Sequence, residues 1–553
     1  MPFVTRITLR SIPRDGDSAV RIRGCSGAMT DGDLGVPGAS RFSELVDRPA
    51  PYQYAHQEHT SNGEATKGPR EETFFQEIKT YLHSCTLWGI SQTFLPSCKS
   101  DPVSDWPISL WGSCRVDFAS DTLETQQEVA IVGAGYSGLW AAIALKKLQP
   151  SIGVIVVDSK EPGFGASGRN GGWCSALFPV GLDDLSKLHG LDQARRMQTA
   201  MNQTVVDVER FINDNQIDCD WARGGTLTVA TNPAHQGRLH EQAAMFMRHG
   251  FDDVAMLETE SVNSLLRVEG ARGGLYSPHC AALHPLKLLN GLVRVARELG
   301  VRIVSNTRVR SIQPGNVLLT DGRRVGCEWV VRATEGFTPQ LERERRAVLP
   351  IWSYMVATEP LSDVVWSEIG WESRVTVADG RNMVTYAQRT ADGRIAFGGR
   401  GIGYPFGSRI SPKLDVSPRV HQQIIDTMHE MFPATRSANI THRWGGPLAV
   451  PRDWHPSVTI DREQRLVTMG GYSGDGVAAS HLAGRTVGAL IAGSEDEITT
   501  LPWVNHRSPR WEPEPLRWIG INALSRLPEW ADRIERRTQK PARRLLALFD
   551  RLS

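Results

Sequence analysis

Three glycines close together carry the clearest chemical signature of this chain. Residues 129–140 read Val-Ala-Ile-Val-Gly-Ala-Gly-Tyr-Ser-Gly-Leu-Trp, so one apolar run ends where the glycines start and another begins where they stop. Gly133 permits a tight turn, Gly135 lets the backbone approach a ligand, and Gly138 lets a helix pack closely on the preceding strand. The first N–H groups and the positive dipole end of such a helix attract an anion. The segment therefore predicts a strand, a turn and a helix that hold the pyrophosphate of a dinucleotide.

An acidic residue follows the next apolar run. Residues 154–157 read Val-Ile-Val-Val, and Asp158 comes directly after them. A carboxylate at the end of that strand accepts hydrogen bonds from the ribose hydroxyls of a bound dinucleotide. Ser159 and Glu161 are near enough in sequence to share this role. The alternative for the whole unit is an ordinary strand–helix–strand element without a ligand.

Length and composition narrow the class of protein. A chain of 553 residues is too long for one core, so two or more domains are expected. The net charge of +1 argues against a nucleic-acid partner. No apolar stretch is long enough to span a bilayer, and the first fifteen residues contain no apolar segment of a secretory signal. The eight cysteines are scattered without metal-binding spacing, so we expect a cytoplasmic protein with reduced thiols and no metal site.

Two further glycine-rich segments lie downstream. Residues 163–172 read Gly-Phe-Gly-Ala-Ser-Gly-Arg-Asn-Gly-Gly, and residues 471–476 read Gly-Tyr-Ser-Gly-Asp-Gly, just before a helix predicted to start at about Val477. Between them, residues 353–358, 383–388 and 393–399 have the pattern of antiparallel strands. The chain thus leaves a nucleotide-binding fold for a sheet-based domain and then returns.

In this order, the segments resemble those of the D-amino-acid oxidase (DAO) superfamily of flavoproteins, in the glycine oxidase and sarcosine oxidase group. The likeness is greatest to the branch that contains gamma-glutamylputrescine oxidase. The resemblance rests on the three glycine segments, on His284-Pro285 and on Val-Val-Arg-Ala-Thr-Glu-Gly at 330–336, and it covers about residues 109–501.

The resemblance implies an α/β fold in which a Rossmann-like FAD-binding domain of the glutathione-reductase type is interleaved with an antiparallel-sheet substrate domain. The FAD-binding parts are expected at about 125–200, 280–345 and 440–500, and the substrate parts at about 201–279 and 346–439, within a body of residues 109–505. Residues 1–108 are expected to be a disordered or poorly ordered extension, and residues 506–553 a helical tail.

The resemblance also implies where FAD is bound. The N–H groups of the late glycine turn and the dipole of the helix after it are expected to face the flavin N1–C2=O edge, which is negative when the flavin is reduced. Arg169 is expected either to meet a phosphate or to stay a surface cation. The acid at position 158 is usually Glu in such proteins, and residues 444–448 lack the cysteine that binds FAD covalently in some relatives, so non-covalent FAD is predicted. The implied contacts are Gly133, Gly135, Tyr136, Ser137, Gly138, Asp158, Ser159, Gly165, Ala166, Ser167, Arg169, Asn170, Gly171, Gly172, Val309, Thr334, Gly336, Gly471, Tyr472, Gly474, Asp475 and Gly476.

The implied reaction is oxidation of a C–N bond in an amine or amino-acid-like substrate. A hydride passes to the flavin, water hydrolyses the imine, and the electrons go to oxygen or another acceptor. Such a site needs no strong general base when a neutral amine is well positioned. Candidates for substrate contact are Tyr354, Tyr386, Arg389 and Arg400, because an arginine there can bind a carboxylate through two hydrogen bonds. Structural ion pairing is the alternative role for each arginine.

Two other functions and one other location remain open. A nicotinamide-dependent dehydrogenase fits the first glycine segment, but the other two argue against it. A non-catalytic or sensor flavoprotein fits all three segments. Residues 533–551 mix basic and apolar side chains, so they predict a helix that packs on the flavin domain or, alternatively, lies on an anionic membrane surface.

Overall fold

A computed structural model describes residues 109–401 and 403–552, and the predicted extension at 1–108 lies outside them. The described part contains eighteen strands and twelve α-helices, with short 3-10 turns between several of them. The strands are β1 (Gln126–Val132), β2 (Val154–Val157), β3 (Trp173–Ser175), β4 (Thr226–Val229), β5 (Ala255–Leu257), β6 (Gly274–Ser277), β7 (Cys280–Ala282), β8 (Arg302–Val304), β9 (Val309–Gln313), β10 (Asn316–Leu319), β11 (Arg324–Arg332), β12 (Leu349–Thr358), β13 (Thr376–Asp379), β14 (Thr385–Arg389), β15 (Ile395–Arg400), β16 (Ile440–Val450), β17 (Ser457–Asp461) and β18 (Leu466–Gly470). The helices are α1 (Tyr136–Leu148), α2 (Leu182–His189), α3 (Leu191–Asp214), α4 (Pro233–Arg248), α5 (Thr259–Leu265), α6 (Pro285–Glu298), α7 (Asp363–Ile369), α8 (Pro418–Met431), α9 (Gly476–Ala492), α10 (Leu516–Leu524), α11 (Arg526–Thr538) and α12 (Arg543–Leu552).

The first large sheet has parallel strands at its centre. Its order is β17-β18-β11-β1-β2-β8, and the hairpin of β9 and β10 extends from β11. β1 is parallel to both β2 and β11, and both faces of β1 and β2 are buried. Continuous apolar runs such as Val154–Val157 form strands of this kind because neither face meets water. Helices α1, α6 and α9 cover one face, and the carboxyl ends of the parallel strands form the edge where ligands bind in such sheets.

The second large sheet runs in the order β16-β12-β15-β14-β13-β4-β6-β5. Its pairs are antiparallel except for β13 with β4, which is parallel. Successive side chains point to opposite faces, so one face packs on α8 in a second core, where Ile424 and Met428 are buried. The predicted α/β fold with two interleaved domains is confirmed. Residues 440–450, expected in the FAD-binding part, belong instead to the substrate sheet through the pairing of β16 with β12.

Residues 182–214 form two helices, α2 and α3, rather than one. Gly190 has φ of +90° and separates α2 from α3, because an L side chain rarely adopts that backbone conformation. Helix α6 begins directly after His284, and the His284 side chain accepts a hydrogen bond from the Lys287 N–H at 3.2 Å as its N-cap.

The C-terminal helices pack on the substrate domain. Asp532 in α11 accepts hydrogen bonds from the backbone N–H groups of Asn382 and Met383, at 2.7 and 2.9 Å. The Glu535 carboxylate is fully buried and lies 2.8 Å from the Arg238 guanidinium of α4. The expected packing on the flavin domain is therefore wrong for α11, because its buried polar partners lie beside β14 and on α4. Among the described helices, none is both long and apolar enough to cross a membrane.

Neutralising Glu535 tests how the tail is held. The change Glu535→Gln leaves the Arg238 guanidinium without its buried counter-charge, and breaking such a pair costs about 3 kcal/mol. The expected result is a thermal midpoint several degrees lower in calorimetry. The matched control is Arg533→Met, which removes an exposed pair with Glu529 on the same helix and is expected to change stability by less than about 0.5 kcal/mol. Equal midpoints for the two variants contradict the docking of α11.

Candidate active site

The turn after β1 brings two backbone segments into contact. A Cβ at position 138 would lie 1.9 Å from the Gly133 carbonyl oxygen, so α1 can begin this close to the turn only with glycine. Gly133 has φ of +114°, and a Cβ there would lie 2.4 Å from the Ala333 carbonyl oxygen. These contacts place the first turn of α1 at the carboxyl edge of the sheet, where its free N–H groups face a cavity.

Asp158 lies at the end of β2, as predicted, and also supports the glycine turn. Its Oδ2 accepts a hydrogen bond from the Ala134 N–H at 2.7 Å, and its Oδ1 accepts one from the Lys160 N–H at 3.0 Å. Burial raises the pKa of Asp158, and the donated N–H groups oppose that shift. Ser159 lines the same cavity, whereas Glu161 forms an ion pair with Arg115 at the surface.

The second glycine segment wraps over the first. Ser167 Oγ accepts a hydrogen bond from the Tyr136 N–H at 2.9 Å. The Asn170 amide donates to the carbonyls of Ala166 and Ser167, both at 3.1 Å, and accepts from the Gly172 N–H at 2.8 Å. The Asn170 side chain therefore holds the segment in shape.

Arg169 is buried and paired. Its Nη1 lies 2.8 Å from Asp415 Oδ2 and donates to the Gly445 carbonyl at 3.1 Å, and its side chain is 3% exposed. The surface-cation alternative is therefore wrong, because the guanidinium is enclosed between the two domains. Burial lowers the pKa of Arg169, while the attraction to Asp415 opposes that shift and keeps the pair ionised.

Glu335 links the late glycine turn to the first sheet. Its carboxylate accepts hydrogen bonds from the N–H groups of Gly471 at 2.9 Å and Tyr472 at 3.2 Å. Burial raises its pKa from 4.5 to about 7, against the effect of these two donors. The sequence analysis missed this residue, although an acid three residues after the end of β11 was the available signal. The Tyr472 hydroxyl lies 3.1 Å from Ser137 Oγ, so the starts of α1 and α9 are joined.

Two adjoining cavities collect most of the predicted FAD contacts. The cradle cavity lies along the glycine turn, and the inner cavity lies between the second glycine segment and the substrate sheet; Ala166 lines both. The cradle cavity is lined by the predicted Gly133, Gly135, Tyr136, Ser137, Asp158, Ser159, Gly165, Ala166, Ser167, Val309, Thr334 and Gly336, together with Glu335. The inner cavity is lined by the predicted Ala166, Arg169, Asn170, Gly171, Gly474 and Tyr386.

The remaining predicted contacts lie behind these surfaces. Gly138 packs on the turn, and the N–H groups of Gly172, Gly471 and Tyr472 are engaged by Asn170 and Glu335. The predicted Asp475 and Gly476 lie at the start of α9, but only Gly474 before them and Val477 after them line the inner cavity.

Of the four substrate candidates, the structure places Tyr386 in the inner cavity. Its hydroxyl lies 3.0 Å from Ser353 Oγ, and its ring contacts Trp173 edge-on at 5.9 Å between centroids. Tyr354 is on the opposite face of the sheet, where its hydroxyl donates to the Leu414 carbonyl at 2.8 Å. Tyr354 is therefore wrong as a substrate contact.

The two arginine candidates lie at the ends of different strands. The Arg389 guanidinium lies 4.1 Å over the Trp366 ring and donates to the Trp371 carbonyl, on the face turned away from Tyr386, so it too is wrong as a substrate contact. Arg400 ends β15, with its backbone opposite Ser353.

A larger outer cavity adjoins the inner one. Its volume is about 290 Å³, and Leu448 lines both cavities. Trp511, Leu516 and Phe549 from the C-terminal segment form part of its mainly apolar wall. Its charged groups are paired: Arg452 lies 3.1 Å from Glu512, and Arg517 is bonded to Glu514.

The model of a protein family described as FAD dependent oxidoreductase (DAO) matches residues 128–490, about two thirds of the chain. The chain belongs to the DAO family of FAD-dependent oxidoreductases. This FAD-dependent enzyme is 28% identical to the gamma-glutamylputrescine oxidoreductase of Escherichia coli over 387 residues, which cover 68% of this chain and 87% of that protein. It is also 28% identical over 381 residues to the probable oxidoreductase OrdL of Haemophilus influenzae, covering 67% and 84% of the two chains.

Solved structures agree with the fold of this DAO-family enzyme. The glycine oxidase of Geobacillus kaustophilus aligns with a TM-score of 0.56 at 20% identity, over 69% of this chain and all of that one. Family membership makes FAD the cofactor, so the nicotinamide alternative falls.

The residues of the cradle cavity fit FAD. A backbone turn without side chains, a helix start and an acid at the end of β2 suit the pyrophosphate and ribose of a dinucleotide. The inner cavity continues from the cradle at Ala166 and ends against Tyr386, which suits a flavin ring beyond the ribityl chain. Among the described residues, no cysteine lines either cavity, and non-covalent attachment stays a prediction.

A methyl group at position 138 is predicted to abolish FAD binding. The change Gly138→Ala forces the start of α1 away from the turn, and we expect purified protein with less than about a tenth of the wild-type flavin, because a loss of 1.4 kcal/mol already costs tenfold in affinity. Flavin released by acid is measured against protein concentration. The control Gly237→Ala lies on α4 with nothing within 4 Å and is expected to keep its flavin. The Cβ of Gly135→Ala would lie 2.9 Å from the Ser167 hydroxyl, which can move, so we expect an intermediate loss of flavin. Equal flavin content in all three variants would contradict the geometry.

Glu335 is predicted to make stability depend on pH. Because its folded-state pKa is raised from 4.5 to about 7, the folded protein holds the proton more tightly than the unfolded chain. Below about pH 4.5, Glu335 makes its full contribution to the free energy of unfolding. That contribution, up to about 3 kcal/mol, is lost as the pH rises to about 7. The variant Glu335→Gln has no such proton, so its thermal midpoint is expected to rise relative to that of the wild type between pH 5 and 8. A difference that stays constant over this range contradicts the shift.

Proposed function

We propose that this enzyme oxidises a C–N bond of a primary or secondary amine or amino-acid-like substrate. FAD supplies the hydride acceptor for such a reaction. The chain binds the substrate beside Tyr386, holds it neutral and admits the water that hydrolyses the imine. The relatives support the proposal, because one is a gamma-glutamylputrescine oxidoreductase and a structural neighbour is an iminodiacetate oxidase.

The make-up of the inner cavity carries this proposal. Among the described residues that line it, none has a carboxylate, an imidazole or an amine, and its one charged side chain, Arg169, is held by Asp415. Its polar groups include the hydroxyls of Tyr386 and Ser353, which can position a substrate nitrogen by hydrogen bonds. A cavity of this kind disfavours an ammonium group, so the amine must bind deprotonated. The chemistry then depends on positioning rather than on a base.

The outer cavity suits a substrate whose amine is attached to an apolar or extended group. It shares Leu448 with the inner cavity as a lining residue and is walled by side chains such as Trp511 and Leu516. The charged pair of Arg452 and Glu512 lies on this wall, where a polar end of a long substrate has partners. Oxygen or another electron acceptor completes the cycle.

Anaerobic reduction of the bound flavin tests the function. Purified enzyme is mixed without oxygen with primary amines, secondary amines and amino acids, and the visible spectrum is recorded. We expect bleaching by one class of amine, faster as pH approaches the pKa of that amine. Readmitted oxygen then separates an oxidase from an enzyme with another acceptor. Flavin that no amine bleaches supports the non-catalytic alternative and contradicts the proposal.

Two tyrosines on opposite faces of one sheet offer a matched pair of variants. Tyr386→Phe removes a hydroxyl from the inner cavity, and we expect the rate constant for flavin reduction to fall about three- to tenfold, the value of one hydrogen bond. Tyr354→Phe removes a hydroxyl from the other face and is expected to leave the rate unchanged. Stopped-flow absorbance measures both. Equal effects of the two changes would place the substrate elsewhere.

A further inference from the structure

Three histidines meet at a place that none of the cavities described above includes. His189 ends α2, His455 lies in the loop between β16 and β17, and His506 follows the β17–α9 region in sequence. One ring nitrogen from each lies within 4.8 Å of the other two. The rings of His455 and His506 stack with centroids 3.8 Å apart, and the ring of His189 lies 5.5 Å from that of His455.

The hydrogen bonds of the cluster leave nitrogen lone pairs unused. His455 Nδ1 lies 2.7 Å from the Pro456 carbonyl, which only accepts, so Nδ1 carries the proton and Nε2 presents a lone pair. The residue is 1% exposed, and within the described part of the chain its Nε2 has no hydrogen-bond partner. His189 Nε2 is likewise buried and unpartnered among the described residues. Buried polar atoms normally find partners, so two orphaned ring nitrogens on histidines of one cluster call for an occupant.

An acid orients the third ring. His506 Nε2 lies 2.7 Å from Asp453 Oδ2, so its N–H donates a hydrogen bond to the carboxylate, and in the neutral ring Nδ1 is the lone-pair nitrogen. A histidine that donates one N–H to a carboxylate or carbonyl while its other nitrogen is free is the usual arrangement of a metal-ligating imidazole. His455 and His506 both have it.

We propose that His189, His455 and His506 bind one divalent transition-metal ion of the Zn²⁺ class. Three imidazole nitrogens at about 2.0–2.1 Å from Zn²⁺ lie about 3.4 Å apart in a tetrahedral site, a spacing within the observed limit of 4.8 Å. Imidazole ligands suit Zn²⁺ and its neighbours rather than Mg²⁺ or Ca²⁺, and water takes the fourth position. This revises the expectation of no metal site, which rested on the spacing of the cysteines.

Such an ion ties the loop that carries His455, which packs against the late glycine turn, to the segments that carry His189 and His506. The loop that carries His455 starts at Pro451 and ends at Pro456, and a Cβ at Gly471 would lie 2.4 Å from Pro451 Cγ and 3.8 Å from Pro456 Cα. The metal therefore braces the loop behind Gly471 from outside the cavities. We expect removal of the metal ion to lower the thermal midpoint clearly and the flavin content of the protein only slightly.

Metal content and calorimetry of the full-length holoenzyme test the site. Protein is treated with EDTA, desalted and titrated with ZnCl₂, and bound zinc is counted by mass spectrometry after gel filtration. We expect one equivalent of zinc and a higher thermal midpoint on its return. His189→Gln and His506→Gln are each expected to lower the affinity by more than about tenfold and to lose the thermal shift, and Asp453→Asn to lower it about tenfold. Both histidines are only half-buried, which favours folded variants.

The control His240→Gln changes an exposed histidine of α4 and is expected to bind zinc as the wild type does. X-ray absorption of the wild-type zinc complex gives a readout that needs no variant, and we expect nitrogen and oxygen neighbours with the multiple-scattering signature of imidazole. Sulfur neighbours, no saturable binding by the wild type, or unchanged binding in both histidine variants overturns the proposal.

Discussion

The close packing of helix backbones at glycines, where no side chain lies between them, determines the rest of this structure. α1 starts against the Gly133 carbonyl oxygen, and α9 packs on α1 at two glycines, where a Cβ at Gly484 would lie 2.5 Å from Trp140 Cβ and one at Gly488 would lie 2.9 Å from Ala144 Cβ. Because the two helices lie this close, their first turns reach the same edge of the sheet. Two positive helix ends then point at one elongated site, which suits a ligand with a phosphate at one end and a charge-accepting ring at the other.

A buried ion pair couples this edge to the substrate sheet. Arg169 belongs to the second glycine segment, and Asp415, which precedes α8, receives both its guanidinium and the Trp352 indole N–H at 3.0 Å. A buried pair adds little net stability, since desolvation offsets attraction, but losing one partner is costly. The effect of the pair is therefore geometric. It holds the segment that lines the inner cavity against the strand that carries Ser353, so the distance between cofactor and substrate does not depend on a flexible loop.

The sequence predicted the elements well and their contacts poorly, for a physical reason. Apolar runs and glycine turns are local signals, so β1, β2, α1 and the fold class could be predicted. Successive side chains of a strand lie on alternate faces of the sheet, so Tyr354 or Tyr386 faces the cavity according to the register of its strand. That register is set by the pairing of the strands across the sheet. Arg169 is bonded to Asp415 at a separation of 246 residues, and the clustered His189, His455 and His506 follow one another at separations of 266 and 51 residues. No local pattern encodes such partners.

Part of the wall of the outer cavity lies beyond the family match. The family match ends at residue 490, whereas Trp511, Leu516 and Phe549, which help to wall the outer cavity, lie beyond it. The buried pair of Glu535 and Arg238 fixes α11 to the substrate domain, so this part of the wall is a fixed part of the fold. In the proposed reaction the inner cavity selects the neutral amine, and the outer cavity selects the body that carries it. The family match therefore supports an amine-like substrate but carries no information on the part of the wall that Trp511, Leu516 and Phe549 form.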